Sequence, residues 1–261
     1  MYPRRIISLA PTHTEILYFL GAEDRVVGVT ENCDHPEEVL KKETFGSWAY
    51  PDISKILNAK PDLVCTFSNH QIDFARMLRD NGIEVFHADP PDVKTAIEDI
   101  RKLGNLLQVD DVESKLGILL VRLHRVNEKI FDAKNRPRVF RIMNWAPLVT
   151  VGNGAFQNDV IRLAGGKNIF GDMKKPYFNV SPIDVKKRDP EVIFFCEQEL
   201  KERILTDPSW ETISAVRKKK IYCFPCEFTC RSGPRIVDMV ERLARVLHPE
   251  LFTKQYRQAN C

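Results

Sequence analysis

Residues 109–134 read VDDVESKLGILLVRLHRVNEKIFDAK, and the apolar side chains among them recur every three or four positions. This spacing places them on one face of an α-helix, with charged residues on the other faces. Asp110 and Asp111 supply an acidic start, and Pro137 follows the end. A helix of this length would be about 40 Å long. The stretch therefore predicts a stiff spine helix that joins two halves of the chain.

The segments on both sides of the spine alternate short apolar strands with amphipathic helices. Residues 63–66 and 192–195 are the clearest buried strands, and each follows a short helix. Such alternation is typical of a mostly parallel sheet that is covered on both faces. We expect an α/β fold of two Rossmann-like lobes. The predicted boundaries are 1–108 for the first lobe, 109–134 for the spine helix and 135–261 for the second lobe.

A local echo relates the two predicted lobes. The triplet DIS at 52–54 leads to KPDLV at 60–64, and PID at 182–184 leads to DPEVI at 189–193. In both places a short helix passes through a Pro-acid pair into a buried strand. The two lobes are therefore interpreted as variants of one plan.

Charge and hydropathy exclude two classes of partner. The net charge of the 261 residues is +3, and the basic residues are dispersed without aromatic interleaving, so no nucleic acid is expected. No segment approaches the roughly 20 apolar residues of a membrane helix, so no membrane insertion is expected. The start lacks a signal-peptide core, which predicts a cytoplasmic protein, or a periplasmic or extracellular one if a signal peptide has been trimmed. Seven cysteines, an odd count, fit a reducing compartment.

The loops after the predicted strands indicate a ligand site. In open α/β sheets ligands bind at the carboxyl ends of the strands, and two facing lobes turn those ends into a cleft. These loops are rich in aromatic residues, which suit a large, flat ligand, although each ring could instead pack within its own lobe. Arg231 is a polar group that could orient the ligand. The aromatic candidates are Trp48, Tyr50, Trp145, Tyr177, Phe178 and Phe228.

Four motifs together resemble one family. The segments RIISLAP at 5–11, CDHP at 33–36, AGGKNIF at 164–170 and SGPRI at 232–236 resemble the cobalamin-binding proteins of ABC importers. These belong to the helix-linked, class III substrate-binding proteins, which include carriers of corrinoids, haem and iron-siderophores. The resemblance covers nearly the whole chain and implies that the ligand is cobalamin, another corrinoid or a related metal chelate.

The resemblance also has implications for single residues. Trp48 is similar to a cleft tryptophan of the cobalamin binders. An ABC permease is a possible partner, because family members dock through an exposed acidic residue on each lobe. Asp73 is the candidate in the first lobe. The candidates in the second lobe are Glu197, Glu199 and Glu202.

The cysteines support an alternative function. Cys223, Cys226 and Cys230 form C-x2-C-x3-C, and Cys33 lies in a loop of the other predicted lobe. Thiolates are ligands for zinc and for iron–sulfur clusters, which usually have four of them. The alternative is a cytoplasmic relative that holds a cysteine-ligated metal or iron–sulfur centre for redox or sulfur chemistry. A purely structural role for these cysteines stays open.

The remaining cysteines and the histidines are weaker candidates. Cys65 and Cys196 are expected in the cores of strands, and Cys261 lies in the tail. His13, at a predicted helix start that faces the cleft, could bind the ligand or its metal, and His35 could do so from the loop of Cys33. Capping and surface roles are the competing interpretations.

Motifs of common enzyme classes are missing from the sequence. It contains no G-x-S-x-G, H-E-x-x-H or P-loop, and no G-x-G-x-x-G follows a strand. Binding is therefore favoured over catalysis. A third hypothesis is an interaction protein whose cleft no longer binds a ligand.

Overall fold

A computed structural model describes residues 2–252 of the chain. The described chain divides into two compact units. Unit 1 comprises residues 2–90, 94–118 and 232–234, and unit 2 comprises 91–93, 119–231 and 235–252. Cys261 lies outside the described residues.

Unit 1 is built on a five-stranded parallel sheet with the strand order β3-β2-β1-β4-β5. The strands are β1 (Ile6–Ser8), β2 (Val26–Val29), β3 (Glu43–Thr44), β4 (Leu63–Phe67) and β5 (Val85–Ala88). The helices are α1 (Pro11–Phe19), α2 (Ile53–Ala59), α3 (Ile72–Asp80) and α4 (Val93–Leu106). The first residue of α4, Val93, is assigned to unit 2, and the rest of the helix belongs to unit 1. Ile7 of β1 and Val64 of β4 are fully buried. The central strands have continuous apolar runs because both of their faces are covered.

Unit 2 contains a four-stranded parallel sheet in the order β11-β10-β6-β8 and a two-stranded antiparallel sheet of β7 and β9. The strands are β6 (Arg138–Arg141), β7 (Val149–Val151), β8 (Lys167–Asn168), β9 (Tyr177–Asn179), β10 (Val192–Phe195) and β11 (Ile221–Cys223). The helices after α5 (Val112–Phe131) are α6 (Phe156–Leu163), α7 (Pro182–Arg188), α8 (Leu200–Thr206), α9 (Ser214–Arg217), α10 (Cys226–Thr229), α11 (Ile236–Leu247) and α12 (Pro249–Phe252). The predicted α/β class with mostly parallel sheets is confirmed.

The predicted spine corresponds to helix α5 (Val112–Phe131), which is shorter than the predicted 109–134. Its residues 112–118 belong to unit 1 and 119–131 to unit 2. The preceding chain is not helical because Gln108 takes a left-handed conformation, with φ of 54°, after α4. Leu116 and Val126 of the predicted stripe are buried, whereas Leu120 is 45% exposed.

The predicted echo between the lobes is confirmed in atomic detail. The residues after α2 and α7, Lys60 and Asp189, are both left-handed, with φ of 48° and 40°, and each precedes a proline. The acid after that proline then accepts a hydrogen bond from the backbone N–H at the start of the neighbouring strand. In unit 1 Asp62 accepts from Arg5 at 2.9 Å, and in unit 2 Glu191 accepts from Arg138 at 3.0 Å. These contacts align the central strands β1 with β4 and β6 with β10.

His13 is buried inside unit 1. Helix α1 begins at Pro11, so His13 lies in its first turn and is 0% exposed. Its ring meets the edges of Phe67 and Phe86 at centroid distances of 5.7 and 5.4 Å. Neither ring nitrogen has a hydrogen-bond partner in the described chain. Burial, with a smaller effect from His87, lowers the pKa of His13 from 6.5 to about 3. The prediction that His13 binds a ligand is therefore wrong, because its imidazole is a neutral core side chain.

We predict that His13 makes unit 1 sensitive to acid. In the unfolded chain His13 takes a proton near pH 6.5, whereas the folded chain keeps it neutral down to about pH 3. The free energy of unfolding is therefore highest, as far as His13 is concerned, above pH 6.5, and it falls as the pH decreases toward 3. Between pH 7 and pH 5 the loss due to His13 should be about 2 kcal/mol. Urea unfolding of the wild type and of His13→Leu at both pH values measures it.

The variant should show a smaller loss of unfolding free energy than the wild type over this interval. The control is His124→Gln, because the side chain of His124 is 69% exposed. Equal pH dependence in the wild type and His13→Leu would contradict the assignment.

Candidate functional site

The carboxyl ends of the unit 1 strands carry the first group of candidate residues. The loop 46–50 follows β3, and the loop 68–71 follows β4. Because all five strands are parallel, their carboxyl ends lie at one edge of the sheet. This edge is where ligands bind in open α/β sheets.

Gln71 ties three segments of that edge together. Its side chain is fully buried, and its Nε2 donates to the carbonyl of Leu9 at 2.9 Å and to that of Trp48 at 2.7 Å. Its Oε1 accepts from the N–H of Phe67 at 2.8 Å. One amide thus fixes the Trp48 loop to the ends of β1 and β4. Sequence reasoning missed Gln71, since nothing in its local pattern marks a buried glutamine.

Trp48 is held in a defined position. Its backbone N–H donates to Asn32 Oδ1 at 2.7 Å, and its half-buried indole stacks on the imidazole of His70 at 4.6 Å between centroids and 15° between planes. Gly46 makes the turn, with φ of +81°, and a Cβ there would lie 2.5 Å from the carbonyl oxygen of Tyr50. Tyr50 itself is 82% exposed. The result is a fixed, partly exposed aromatic pair.

Cys33 is a buried core residue of unit 1. It is 3% exposed, Thr14 Oγ1 donates to its sulfur at 3.1 Å, and Thr30 Oγ1 lies 3.3 Å from it. The described residues provide no group of metal-binding atoms around Cys33. The role of Cys33 as a metal ligand stays a prediction, and its burial in unit 1 does not support it.

Most candidate rings of unit 2 pack within the unit. Trp145 lies against Trp210 with centroids 5.3 Å apart, and Phe178 meets Phe170 edge-on at 5.8 Å. Both candidates contact the hydrophobic core of unit 2. For these two rings the packing interpretation left open by the sequence is supported.

Three other candidates of unit 2 lie nearer its surface. Phe228 is half-buried and has the guanidinium groups of Arg235 and Arg242 at 5.1 and 4.4 Å from its ring centroid. Tyr177 is 45% exposed, and its hydroxyl is 3.1 Å from Gln157 Oε1. Arg231 is half-buried just after α10. Tyr177 keeps the most exposed ring of the candidates in unit 2.

The sulfur atoms of Cys196, Cys226 and Cys230 form a cluster, all within 4.8 Å of one another. The Sγ atoms of Cys196 and Cys230 are 3.8 Å apart. Cys226 opens α10 and Cys230 follows its last residue, a four-residue spacing that puts both on one side of the turn. We call this group the cysteine trio.

Of the predicted metal ligands in unit 2, the structure brings only Cys226 and Cys230 together. Cys223 pairs with Phe195 in the sheet and packs against the unit 2 core, so it is not in the trio. Cys196, predicted to be core, replaces it. Because side chains alternate along a strand, Cys196 extends the face of Phe194, opposite to that of Phe195 and Cys223.

Arg141 lies beside the cysteine trio. It is fully buried, its Nη2 is 3.8 Å from Cys196 Sγ and 3.5 Å from Cys230 Sγ, and its guanidinium lies 5.2 Å from the centroid of Phe194. Hydrogen bonds from Cys226 and Cys230, and then the positive charge of Arg141, lower the pKa of the Cys196 thiol. Sequence reasoning missed Arg141, since an arginine at the end of a short strand usually reaches solvent.

The chain thus combines two α/β units, built on parallel sheets and sharing one long helix, with candidate ligand residues at carboxyl strand ends. Residues 6–227 match the model of the periplasmic binding protein family. The chain belongs to this family, and its fold is that of the class III members. The resemblance predicted from the sequence motifs is confirmed.

The similar proteins include binders of vitamin B12. A vitamin B12-binding protein of Vibrio cholerae is 30% identical over 251 residues, which cover 93% of this chain and 88% of the relative. The crystal structure of the periplasmic vitamin B12-binding protein BtuF of Vibrio cholerae matches with a TM-score of 0.84 and 27% identity, over 97% of this chain and 99% of that one. An ABC transporter substrate-binding lipoprotein of Bacillus subtilis, YvrC, is 27% identical over 96% of this chain and 82% of its own length.

Among the described residues, every helix is too short or too polar to cross a bilayer.

We predict that Gln71 is a main support of the Trp48 loop. Gln71→Leu removes three hydrogen bonds: a buried one to the carbonyl of Leu9, and part-buried ones to the carbonyl of Trp48 and from the N–H of Phe67. The free energy of unfolding should fall by about 3 kcal/mol. Urea unfolding followed by circular dichroism measures this change.

The matched control is Asn69→Ala, two residues away and exposed, which should change stability by less than about 0.5 kcal/mol. A loss below about 1 kcal/mol for Gln71→Leu would show that the loop does not depend on this amide.

Proposed function

We propose that this chain is a substrate-binding protein for a corrinoid, either cobalamin or a cobinamide. The observation that carries the proposal is the stacked pair of Trp48 and His70 at the carboxyl edge of the unit 1 sheet. Sequence similarity to vitamin B12-binding proteins over nearly the whole chain supports it independently.

The chemistry of a corrinoid suits this pair. The corrin macrocycle is a broad ring with apolar faces and a polar rim, and aromatic side chains bind such faces by stacking and by burying apolar area. Trp48 is anchored through both its N–H and its carbonyl, so little conformational entropy is lost when a ligand covers it. The exposed imidazole of His70 stacks on one face of the indole and helps to hold it in place.

The corrinoid is the narrower part of this proposal. Proteins of the same fold carry other chelates: one solved relative from Roseiflexus is a periplasmic haem-binding protein, and its 20% identity to this chain relates the folds only. The identity of about 30% to vitamin B12-binding proteins favours a corrinoid over haem. That the aromatic candidates of the two units face a shared cleft stays a prediction.

We further propose that an ABC permease receives the ligand, as the class of the Bacillus subtilis relative implies. Exposed carboxylates could contact arginines of such a permease. Glu197, Glu199 and Glu202 are exposed near the start of α8. Asp73 of α3 is exposed, and its Oδ1 lies 3.0 Å from Arg76 Nη1. Because an exposed ion pair contributes little stability, an arginine of the permease could replace Arg76 as the partner of Asp73. The cytoplasmic location stays a prediction.

We predict saturable binding of cobinamide or cobalamin, followed by absorbance and calorimetry. Trp48→Ala should weaken the binding at least about tenfold, which is about 1.4 kcal/mol. The matched control is Phe131→Ala, because Phe131 is 82% exposed at the end of α5 and is not among the candidate ligand residues.

Haem and a ferric siderophore are titrated in parallel. If haem or the ferric siderophore binds more tightly than both corrinoids, the corrinoid assignment is wrong and the protein binds another chelate. No binding of any of these chelates at tens of micromolar would contradict the proposed function as a whole.

A further inference from the structure

We propose that the cysteine trio, Cys196, Cys226 and Cys230, is a binding site for one soft divalent metal ion, with Zn²⁺ as the best fit. The site lies wholly within unit 2. It does not depend on the corrinoid proposal, since it uses none of the residues that support that proposal.

The distances between the sulfur atoms suit a single ion. Zinc–thiolate bonds are about 2.3 Å long, so two thiolates on one tetrahedral zinc lie about 3.8 Å apart. The Sγ atoms of Cys196 and Cys230 are 3.8 Å apart, and the three sulfur atoms lie within 4.8 Å of one another. Side-chain rotations of small size therefore bring all three sulfur atoms onto one ion.

The same distances speak against an iron–sulfur cluster. In a [4Fe–4S] cluster each cysteine binds a different iron, so the thiolates lie farther apart than two ligands of one ion. Among the described residues of unit 2, a fourth cysteine is also missing from the group, since Cys223 packs against the unit 2 core. The geometry thus favours a mononuclear site.

Arg141 supplies the charge that such a site needs. Three thiolates and Zn²⁺ together carry one negative charge, and a buried charge is costly unless it is compensated. The guanidinium of Arg141 is fully buried, and its Nη2 lies within 3.5 Å of Cys230 Sγ and 3.8 Å of Cys196 Sγ. Its Nε has no hydrogen-bond partner in the described part of the chain. With the metal bound, the whole group becomes neutral.

The site is open on one side. Cys226 is exposed, whereas Cys196 and Cys230 are half-buried. Zinc sites with three protein ligands keep a fourth position for water or for a ligand atom. Binding converts three thiols into thiolates and releases three protons to solvent, and the oxidation state of the metal and of the sulfur does not change.

The test uses the full chain, reduced and stripped of metal with a chelator under anaerobic conditions. Titration with Co²⁺ should give sulfur-to-cobalt charge-transfer absorption that saturates at one Co²⁺ per chain, and Zn²⁺ should abolish it. Cys226→Ser should weaken Co²⁺ binding at least about 100-fold, since one of three protein ligands is lost. Cys226 is exposed, so this variant should fold.

Cys223→Ser is the matched control. Cys223 is the last residue of β11, three residues before Cys226, and lies outside the trio, so its loss should change Co²⁺ affinity less than about threefold. Cys196→Ser and Cys230→Ser should behave as Cys226→Ser does, with circular dichroism as the check on folding.

Three results would overturn the site. The first is that a wild-type chain with all its thiols reduced binds neither Co²⁺ nor Zn²⁺ at millimolar concentrations of the metal. The second is an equal loss of affinity in Cys223→Ser and Cys226→Ser. The third is iron with inorganic sulfide in the anaerobically isolated chain, which would replace the single ion by a cluster.

Discussion

Parallel pairing of the central strands is the constraint on which both candidate sites depend. In unit 1 Asp62 fastens the start of β4 to the start of β1, and in unit 2 Glu191 fastens β10 to β6. Both acids follow a left-handed residue and a proline that end a short helix. Because the strands start in register and run in the same direction, the loops that follow them lie at one edge.

The two units use this edge for different chemistry. In unit 1 the buried amide of Gln71 joins the ends of β1 and β4 to the Trp48 loop and so presents an aromatic surface. In unit 2 the corresponding edge carries Cys196 directly after β10, Cys226 at the start of α10 and Cys230 just after it. One plan therefore presents aromatic rings in one unit and a group of thiols in the other.

Two buried basic side chains show how their surroundings decide their charge. His13 lies between the edges of two phenylalanine rings and has no hydrogen-bond partner among the described residues, so burial keeps it neutral. Arg141 is just as buried but lies beside polarisable sulfur atoms and donates to the carbonyl of Ile142. The histidine can release its proton, whereas the guanidinium cannot, so only the arginine needs a negative partner.

The sequence predicted much of the fold because the central strands are buried on both faces. The apolar runs at 63–66 and 192–195 correspond to β4 and β10. In both units the acid of the preceding Pro-acid pair accepts the same hydrogen bond, from the backbone N–H at the start of the neighbouring strand. Strands of two or three residues, such as β3 and β8, have no periodicity that could be recognised.

The candidate site was harder to predict because its contacts join distant segments. Gln71 binds carbonyls that lie 62 and 23 residues away in the sequence. Cys196 and Cys223 exchanged their predicted roles because a sequence pattern does not reveal which face a residue just beyond a strand adopts. His13 was misplaced because the helix starts at Pro11, which turns its side chain inward.

The central claim is that a corrinoid lies against Trp48. It is tested most directly by fluorescence of a chain in which Trp145 and Trp210 are replaced by phenylalanine, so that Trp48 is the only tryptophan. Corrinoids absorb where tryptophan emits, and a bound corrinoid in contact with the indole should quench nearly all of its emission, saturating at one ligand per chain. Calorimetric binding of cobinamide that leaves the emission of Trp48 unchanged would contradict the account.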